Sequence, residues 1–504
     1  MLHTIYPNSI DRNKMIAEES KNFFSIKIVI IVALIIAANI YFIDSPLLII
    51  LTLAECALIY NYINTKRLER AALFHFIFVI TSIEGTTAML ESNQMIYSYL
   101  RFKLFGHLGI FHINTLILFY YSLRAENKSN EINRLLTFFI YIGSIAVFLG
   151  IIGLLAYGYF THEAIVYLTY LIIICMNLFI ASKNASTDFS NNLSQWFFNS
   201  LIASPIVTLI FWSVFKKTTN YGAFLGLIQS NLDFFAPVLI FYIFKNESKE
   251  AKFFIAISVL CTIVNLYRFG GGEEILICII FVALFFINIL IEKQKNIINY
   301  IVFAICILSF AITSFLFYQN MTSNFGVSIS AIKTDQVISL FRFFQAKNIY
   351  EIRDFMPNSP YIRVAETIDA LYEHSTNVIY TTFGGGYGSY ITDKLDLMDG
   401  INLSNGSYTY ERVQIGQYSR LHGTIPNITL IHGIVGIIGF IYFLSRYVKK
   451  SKDFPFIIVS IIWLVIYFYF NMQIAICGVI GLITVNDMKV NHRKEEPQIE
   501  RKAY

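Results

Sequence analysis

Charge is what this chain has least of. Only 14% of its residues are Asp, Glu, Lys or Arg, while 56% are hydrophobic; an ordinary soluble domain carries about 25% charged residues. That balance excludes a soluble globular protein and leaves a polytopic membrane protein. The net charge of +5 therefore gives no argument for nucleic acid, and what matters is where the cations fall relative to the apolar spans. Cysteine is sparse as well. Cys56, Cys175, Cys261, Cys278, Cys306 and Cys477 all lie in apolar stretches, where they read as small packing residues. The long polar region has none, which excludes a disulfide framework or a thiolate metal cluster there. Internal repeats, low-complexity runs and the inverted pattern of a secondary transporter are missing too. The first apolar stretch lacks a small-residue cleavage site and is expected to stay as an anchor.

What the chain does have is apolar runs of membrane-spanning length, each needing about 20 residues. They fall near 26–43, 46–63, 71–90, 104–123, 135–157, 163–182, 196–215, 226–244, 252–267, 274–291, 298–318, 425–445, 454–470 and 471–486, the last of them short. The expected fold is an all-α polytopic membrane protein of about fourteen transmembrane helices with a large, partly helical external loop. Residues 1–318 form an N-terminal bundle of about eleven spans, 319–424 the loop, 425–486 the C-terminal spans and 487–504 a tail. Basic clusters at Lys66, Arg67 and Arg70, at Arg124, Lys128 and Arg134, at Lys245, Lys249 and Lys252, at Lys293 and Lys295, and at Arg446, Lys449, Lys450 and Lys452 then share one side with both termini. The positive-inside rule makes that side the cytoplasm. Arg101 with Lys103 and Lys216 with Lys217 are the exceptions and face outward.

The loop carries eight Lys/Arg and ten Asp/Glu, a net of −2, unlike the basic cytoplasmic connections. Apolar clusters such as Val337-Ile338-Ser339-Leu340-Phe341 predict a folded segment lying back on the membrane rather than a disordered one. It ends in Ser419-Arg420-Leu421-His422-Gly423, where the next span begins. A histidine at that boundary is suited to general base work near neutral pH, although an ordinary interfacial histidine sits in the same place. Gly433 and Gly436 follow, three apart, and predict a helix face open to a neighbouring helix or a lipid tail.

The spacing His422-Gly423, nine residues, then Gly433-Ile434-Val435-Gly436 resembles the motif of the O-antigen ligase and O-antigen polymerase families. So does the run Arg363-Val364-Ala365-Glu366-Thr367-Ile368-Asp369-Ala370-Leu371 leading to Phe383-Gly384-Gly385-Gly386-Tyr387-Gly388. Arg268, at the end of a span, matches the position of those families' membrane-embedded arginine. Gly423, where the ligase motif has Asn, Ser or Gln, and the Phe269-Gly270-Gly271-Gly272-Glu273-Glu274 context depart from the pattern. The resemblance implies a GT-C-like, metal-independent glycosyltransferase of the bacterial inner membrane with a periplasmic loop and no cofactor. It would join undecaprenyl-diphosphate-linked oligosaccharides, with membrane lipids and a chain-length regulator as partners and no nucleic acid. His422 is then the base and Arg268, Arg363 and Arg420 the diphosphate clamp, for which guanidinium forks are suited because they pair bidentately with phosphate. Gly384, Gly386 and Glu84 are the expected substrate contacts. Snorkelling to headgroups is the plainer explanation for an arginine at a span end, and a tight turn is the plainer one for the glycines.

Other patterns are weaker. Asp393, Asp396 and Asp399 recur every three residues, but without a His or Asn cage they read as a solvated face rather than a Mg or Ca site. Glu55, Glu84 and Asp233 are costly inside spans unless paired, and His75, His107 and His112 read as packed or hydrogen-bonded. Polymerase is the preferred reading, and a ligase that passes finished polymer to lipid A core is the alternative. A flippase would not need a folded external loop. A metal-dependent oligosaccharyltransferase would put acidic residues in its first external loop, which here is minimal around Asp44-Ser45.

Overall fold

The computed structural model describes residues 23–83 apart from 44, 96–215 apart from 106 and 107, 218–221, 224–227, 248–269, 350–399 apart from 356 and 357, and 408–450 apart from 409. A few further positions in 232–239, 347–348 and 460–483 are also described. The described chain is mostly helical: α1 (Ile26–Tyr41), α2 (Leu48–Asn64), α3 (Leu68–Thr81), α4 (Ile110–Ser122), α5 (Asn130–Ala156), α6 (Thr161–Asn184), α7 (Thr187–Phe215) and α8 (Lys249–Phe269) come first. The polar region contributes α9 (Ile352–Phe355), α10 (Asn358–His374), α11 (Val378–Phe383) and α12 (Tyr410–Ile415), before α13 (Thr424–Lys450).

Among the described residues, four helices are long and apolar enough to cross a membrane: Ile132–Ala156, Thr161–Asn184, Asp188–Phe211 and Thr424–Arg446. This is a multi-pass membrane protein on those grounds. Two expected spans start differently. The run from 104 opens with a hairpin, Lys103–Phe105 against Leu108–Gly109, which leaves α4 thirteen residues long, about 20 Å against a bilayer core of about 30 Å. The run from 226 likewise opens inside a hairpin, Thr218–Tyr221 against Phe224–Leu227. Most of the runs 274–291, 298–318 and 454–470 lies outside the described residues, as do Glu84, Asp233 and loop residues 319–346.

Polar side chains resolve the backbone problems that an apolar setting creates. Pro205 inside α7 has no N–H to offer the Leu201 carbonyl. Ser258 of α8 donates to that carbonyl at 3.4 Å, and Asn265 donates to Pro205 O at 3.0 Å, so backbone freed by the proline is met by the neighbouring helix. Asn199 of α7 does the same at the start of α1, accepting from Ser25 N at 2.9 Å and donating to Phe23 O at 2.7 Å. His75 is hydrogen-bonded as expected, through Nδ1 to Tyr99 at 2.8 Å and Nε2 to Asn177 at 3.1 Å.

Two ends of the bundle are chemically distinct. At one, Lys128 N–H donates to Ser182 O at 2.9 Å, and the Lys128 ammonium meets Glu69 at 3.2 Å, so the first two basic connections lie together. At the other, Phe160 N–H donates to Gly388 O at 3.1 Å, which ties the α5–α6 connection to the polar region.

The glycines explain how that region is attached. Gly433 has φ 60° and ψ −157°, a break in the middle of α13. On the turn before the break, the Leu430 and Ile431 carbonyls accept the N–H groups of Gly385 at 2.8 Å and Gly386 at 3.1 Å. The Gly384–Gly388 turn is thus wedged between α13 and α5, where Tyr387 N–H donates to Ala146 O at 3.1 Å. Close approach at Gly433 was expected from another helix or a lipid tail; it comes from the last turn of the short helix α11 and the glycine that follows, a Cβ there meeting Gly384 N at 2.5 Å, Thr381 O at 2.7 Å and Thr382 C at 2.8 Å. A Cβ on Gly386 (φ 81°) would meet Gly150 N at 2.3 Å and Ala146 O at 2.6 Å, backbone that cannot swing aside. Gly158 also has positive φ, 67°, but nothing lies within 4 Å. Gly386→Ala should therefore cost about 3 kcal/mol or more by strain and overlap together, against about 1 kcal/mol for Gly158→Ala. Thermal unfolding of the detergent-purified protein should show a clear drop in Tm for the first and a small one for the second.

Candidate functional site

The site forms where the polar region returns to the membrane. α10 carries Arg363 and Glu366 three residues apart, hence on neighbouring positions of one helix face. Both reach the turn ahead of α13. Glu366 is fully buried, and its carboxylate is filled by donors: Oε2 accepts the His422 backbone N–H at 2.7 Å, and Oε1 accepts from His422 Nδ1 and from the Tyr408 hydroxyl. Tyr408 also sets its ring edge-on to the imidazole, centroids 5.1 Å apart. Arg363 Nε donates to the His422 carbonyl at 2.7 Å. The histidine is thus held by its N–H, its C=O and one ring nitrogen.

Asn427 fixes the same turn from the membrane side. Its Nδ2 donates to the Leu421 and Gly423 carbonyls, both at 2.7 Å, while its Oδ1 accepts from Leu421 N–H at 3.1 Å and from the Tyr167 hydroxyl at 2.6 Å. Tyr167 belongs to α6, so a candidate span braces the turn directly. On the other flank, Ile391 and Tyr418 exchange backbone hydrogen bonds of 2.9 and 2.8 Å.

The chemistry follows from which nitrogen is occupied. A carboxylate can only accept, so Nδ1 carries the hydrogen and Nε2 of the neutral ring presents a lone pair. Nε2 is shielded from water and has no hydrogen-bond partner among the described residues. Buried carboxylate, oriented imidazole and a vacant Nε2 are the arrangement of a general base whose rising charge is offset by its neighbour.

The expected site residues separate on inspection. His422 and Arg363 come together, and Arg420 precedes the histidine by two residues in the same turn. Arg420 is exposed beside the histidine and holds a left-handed φ of 57°, a conformation that costs a non-glycine residue of order 1 kcal/mol. Arg363 is half-buried and braces the backbone of His422, a use the clamp expectation did not include. Arg268 lies in the last turn of α8, and its side chain is outside the described residues. Gly384 and Gly386 are not at the histidine. Their amides are engaged within the fold, Gly384 N–H with Tyr380 O at 2.8 Å, and added atoms there would strike backbone. They are placed for packing, which displaces the expected sugar contact. Glu84 lies outside the described residues.

Glu366 and Tyr408 are the residues that sequence reasoning did not single out. The i, i+3 spacing of Glu366 from Arg363 was visible, but its partner lies 56 residues away. The aspartate triplet is also resolved: Asp393 accepts the N–H groups of Leu397 at 2.9 Å and Met398 at 3.0 Å, closing a turn. Among the described residues no three metal-ligating side chains converge. No family model matches the chain, nor does any curated protein or solved structure.

That aspartate turn meets α10 at Asp369, whose carboxyl is buried beside Asp393. Burial, then the hydrogen bond and like charge of Asp393, push its pKa up to about 8. In the unfolded chain an aspartate releases its proton near 3.9, so between those values the folded form binds more protons than the unfolded one. Stability should then fall as pH rises from about 4 to about 8. Asp369→Asn keeps the neutral form at every pH. Its Tm advantage over the parent should widen from pH 5 to pH 8.5; the same difference at both would remove Asp369 as the cause of the slope.

Proposed function

We propose that this protein is a membrane glycosyltransferase that polymerises lipid-diphosphate-linked glycan repeat units at the outer face of the bacterial inner membrane, both of its termini lying in the cytoplasm. The observation that carries the reading is the Glu366–His422 pair with Nε2 left vacant, at the start of a candidate span. A membrane-surface base suits a substrate whose lipid tail lies in the bilayer and whose reacting sugar lies just above it. The family resemblance of the His422 and Gly433–Gly436 spacing points the same way.

In the proposed reaction, Nε2 of His422 takes the proton of the acceptor sugar's hydroxyl as that oxygen bonds to the anomeric carbon of the donor. The bond from that carbon to the lipid diphosphate breaks, and the diphosphate leaves with the electron pair. Glu366 stabilises the imidazolium formed. Arg420, exposed beside the histidine, and Arg268 supply the cationic clamp for the leaving group, whereas Arg363 acts through the backbone of His422. A single displacement of this kind inverts the anomeric centre and needs no carboxylate nucleophile.

Cells lacking the gene should display lipopolysaccharide core capped by a single repeat unit, with no ladder of longer chains. The wild-type gene should restore the ladder; His422→Ala and Glu366→Gln should lower chain formation by about 10²–10⁴-fold, the usual scale of general base catalysis. Bare core with lipid-linked polymer accumulating would point to ligation instead. A full ladder from His422→Ala, or retention of anomeric configuration in the product, would contradict the mechanism.

A further inference from the structure

The Gly384–Gly388 turn reaches well below the ends of the candidate spans. Gly386 sits against Ala146 and Gly150 of α5, whose candidate span ends at Ala156; six residues of helix from Gly150 correspond to about 9 Å. Gly384 sits against Ile431 and His432 of α13, whose candidate span starts at Thr424; seven residues to Ile431 correspond to about 10 Å. Two independent helices thus give one depth for the turn.

α11 descends to that turn, and its apolar side is uncovered. Val378 is 79% exposed, Ile379 55% and Phe383 36%. Asn377 caps the helix by accepting the Ile379 N–H at 2.9 Å, and the last turn passes into Gly384. At its middle, the Tyr380 ring stands 6.3 Å from Tyr157, just beyond the end of α5. Tyr159 and Tyr390 lie 5.9 Å apart in the same region, with Phe160 5.3 Å from Tyr390. Rings of this kind mark the boundary between acyl chains and headgroups.

We infer that α11 is an interfacial membrane anchor: Val378, Ile379 and Phe383 insert into the acyl-chain boundary of the leaflet on the Tyr157 side. The segment 377–388 is then a re-entrant piece of the membrane domain, not part of an aqueous loop. Its occupant is the bilayer lipid itself, argued from the aromatic contact of Tyr380 with Tyr157 at the end of α5 and from the depth below the span ends at which α11 passes into the glycine turn. The depth read from α5 and α13 is that of Gly384–Gly386, so Phe383 lies deepest and Val378 and Ile379, about 6–7.5 Å back along the helix, lie nearer the headgroups, within the layer of about 5–10 Å that an interfacial helix occupies. The inference rests on the membrane character of α5 and α13 alone and stands whether or not the glycosyl transfer reading holds.

The test is site-directed spin labelling of the full chain in phospholipid nanodiscs. Val378→Cys and Ile379→Cys are labelled separately, with the signal of the labelled parent chain subtracted. Lys394→Cys, on the exposed aspartate turn, is the water-facing control. Power saturation should show Val378 and Ile379 labels several-fold more accessible to oxygen than to a nickel chelate, with the order reversed at Lys394. High nickel accessibility at Val378 and Ile379 would mean that the surface faces water and would overturn the proposal. Low accessibility to both reagents would mean that protein, such as a second copy, covers it, and would overturn it equally.

Discussion

A carboxylate with no water around it must be filled by donors or it will not stay charged. Glu366 meets that demand with three: the backbone N–H and the imidazole Nδ1 of His422, and the hydroxyl of Tyr408. Everything at the candidate site depends on this arrangement. It joins α10 to the turn before α13, fixes the imidazole tautomer and leaves Nε2 available. Removing the carboxylate would release the ring. Removing the imidazole would leave a buried charge short of one of its three partners, the backbone N–H and the Tyr408 hydroxyl remaining, so the two residues should behave as a unit in any double substitution. Arg363 and Asn427 extend the same logic to the backbone, Arg363 holding the carbonyl of the histidine itself and Asn427 the carbonyls of Leu421 and Gly423 on either side.

A second constraint operates inside the membrane domain. Backbone groups in an apolar setting need protein partners, and α13 is broken at Gly433. The carbonyls before the break are met by amides of the Gly384–Gly388 turn, which locks the polar region onto the membrane helices. Because His422 lies only two residues before the start of α13, the same lock fixes the height of the imidazole relative to the bilayer. Packing of the glycines and placement of the base are two consequences of one junction.

How much of this was legible from sequence depends on range. Apolar runs located α5, α6 and α13 within about five residues, because span length and hydropathy are local properties; α7 ends where expected but starts nine residues earlier, at Thr187, through a polar stretch that hydropathy passes over. The His422 position and its spacing to Gly433 and Gly436 were legible for the same reason. Clustering of the Lys66–Arg70 and Arg124–Arg134 connections at one end followed from alternating spans. The partner of His422 was not legible: Glu366 looked like one more polar residue on a loop helix, and only the fold closes 56 residues of separation. The glycine turn was legible as a turn but not as an insertion between α5 and α13, since nothing local in Gly384-Gly385-Gly386 tells what its amides will bond. Hairpins at 103–109 and 218–227 stood where apolar composition suggested helix starts, because short apolar segments serve either period.

The most direct measurement is transfer in vitro by the purified full-length protein with a synthetic polyprenyl-diphosphate oligosaccharide, in buffer containing a chelator, comparing the parent with Glu366→Gln and His422→Ala and assigning the new anomeric configuration by NMR. Chain growth by the parent with inverted configuration, and its near-complete loss in both variants, is the predicted result. Growth that persists in His422→Ala, or a retained configuration, would contradict the assignment of His422 and Glu366 as the reacting centre.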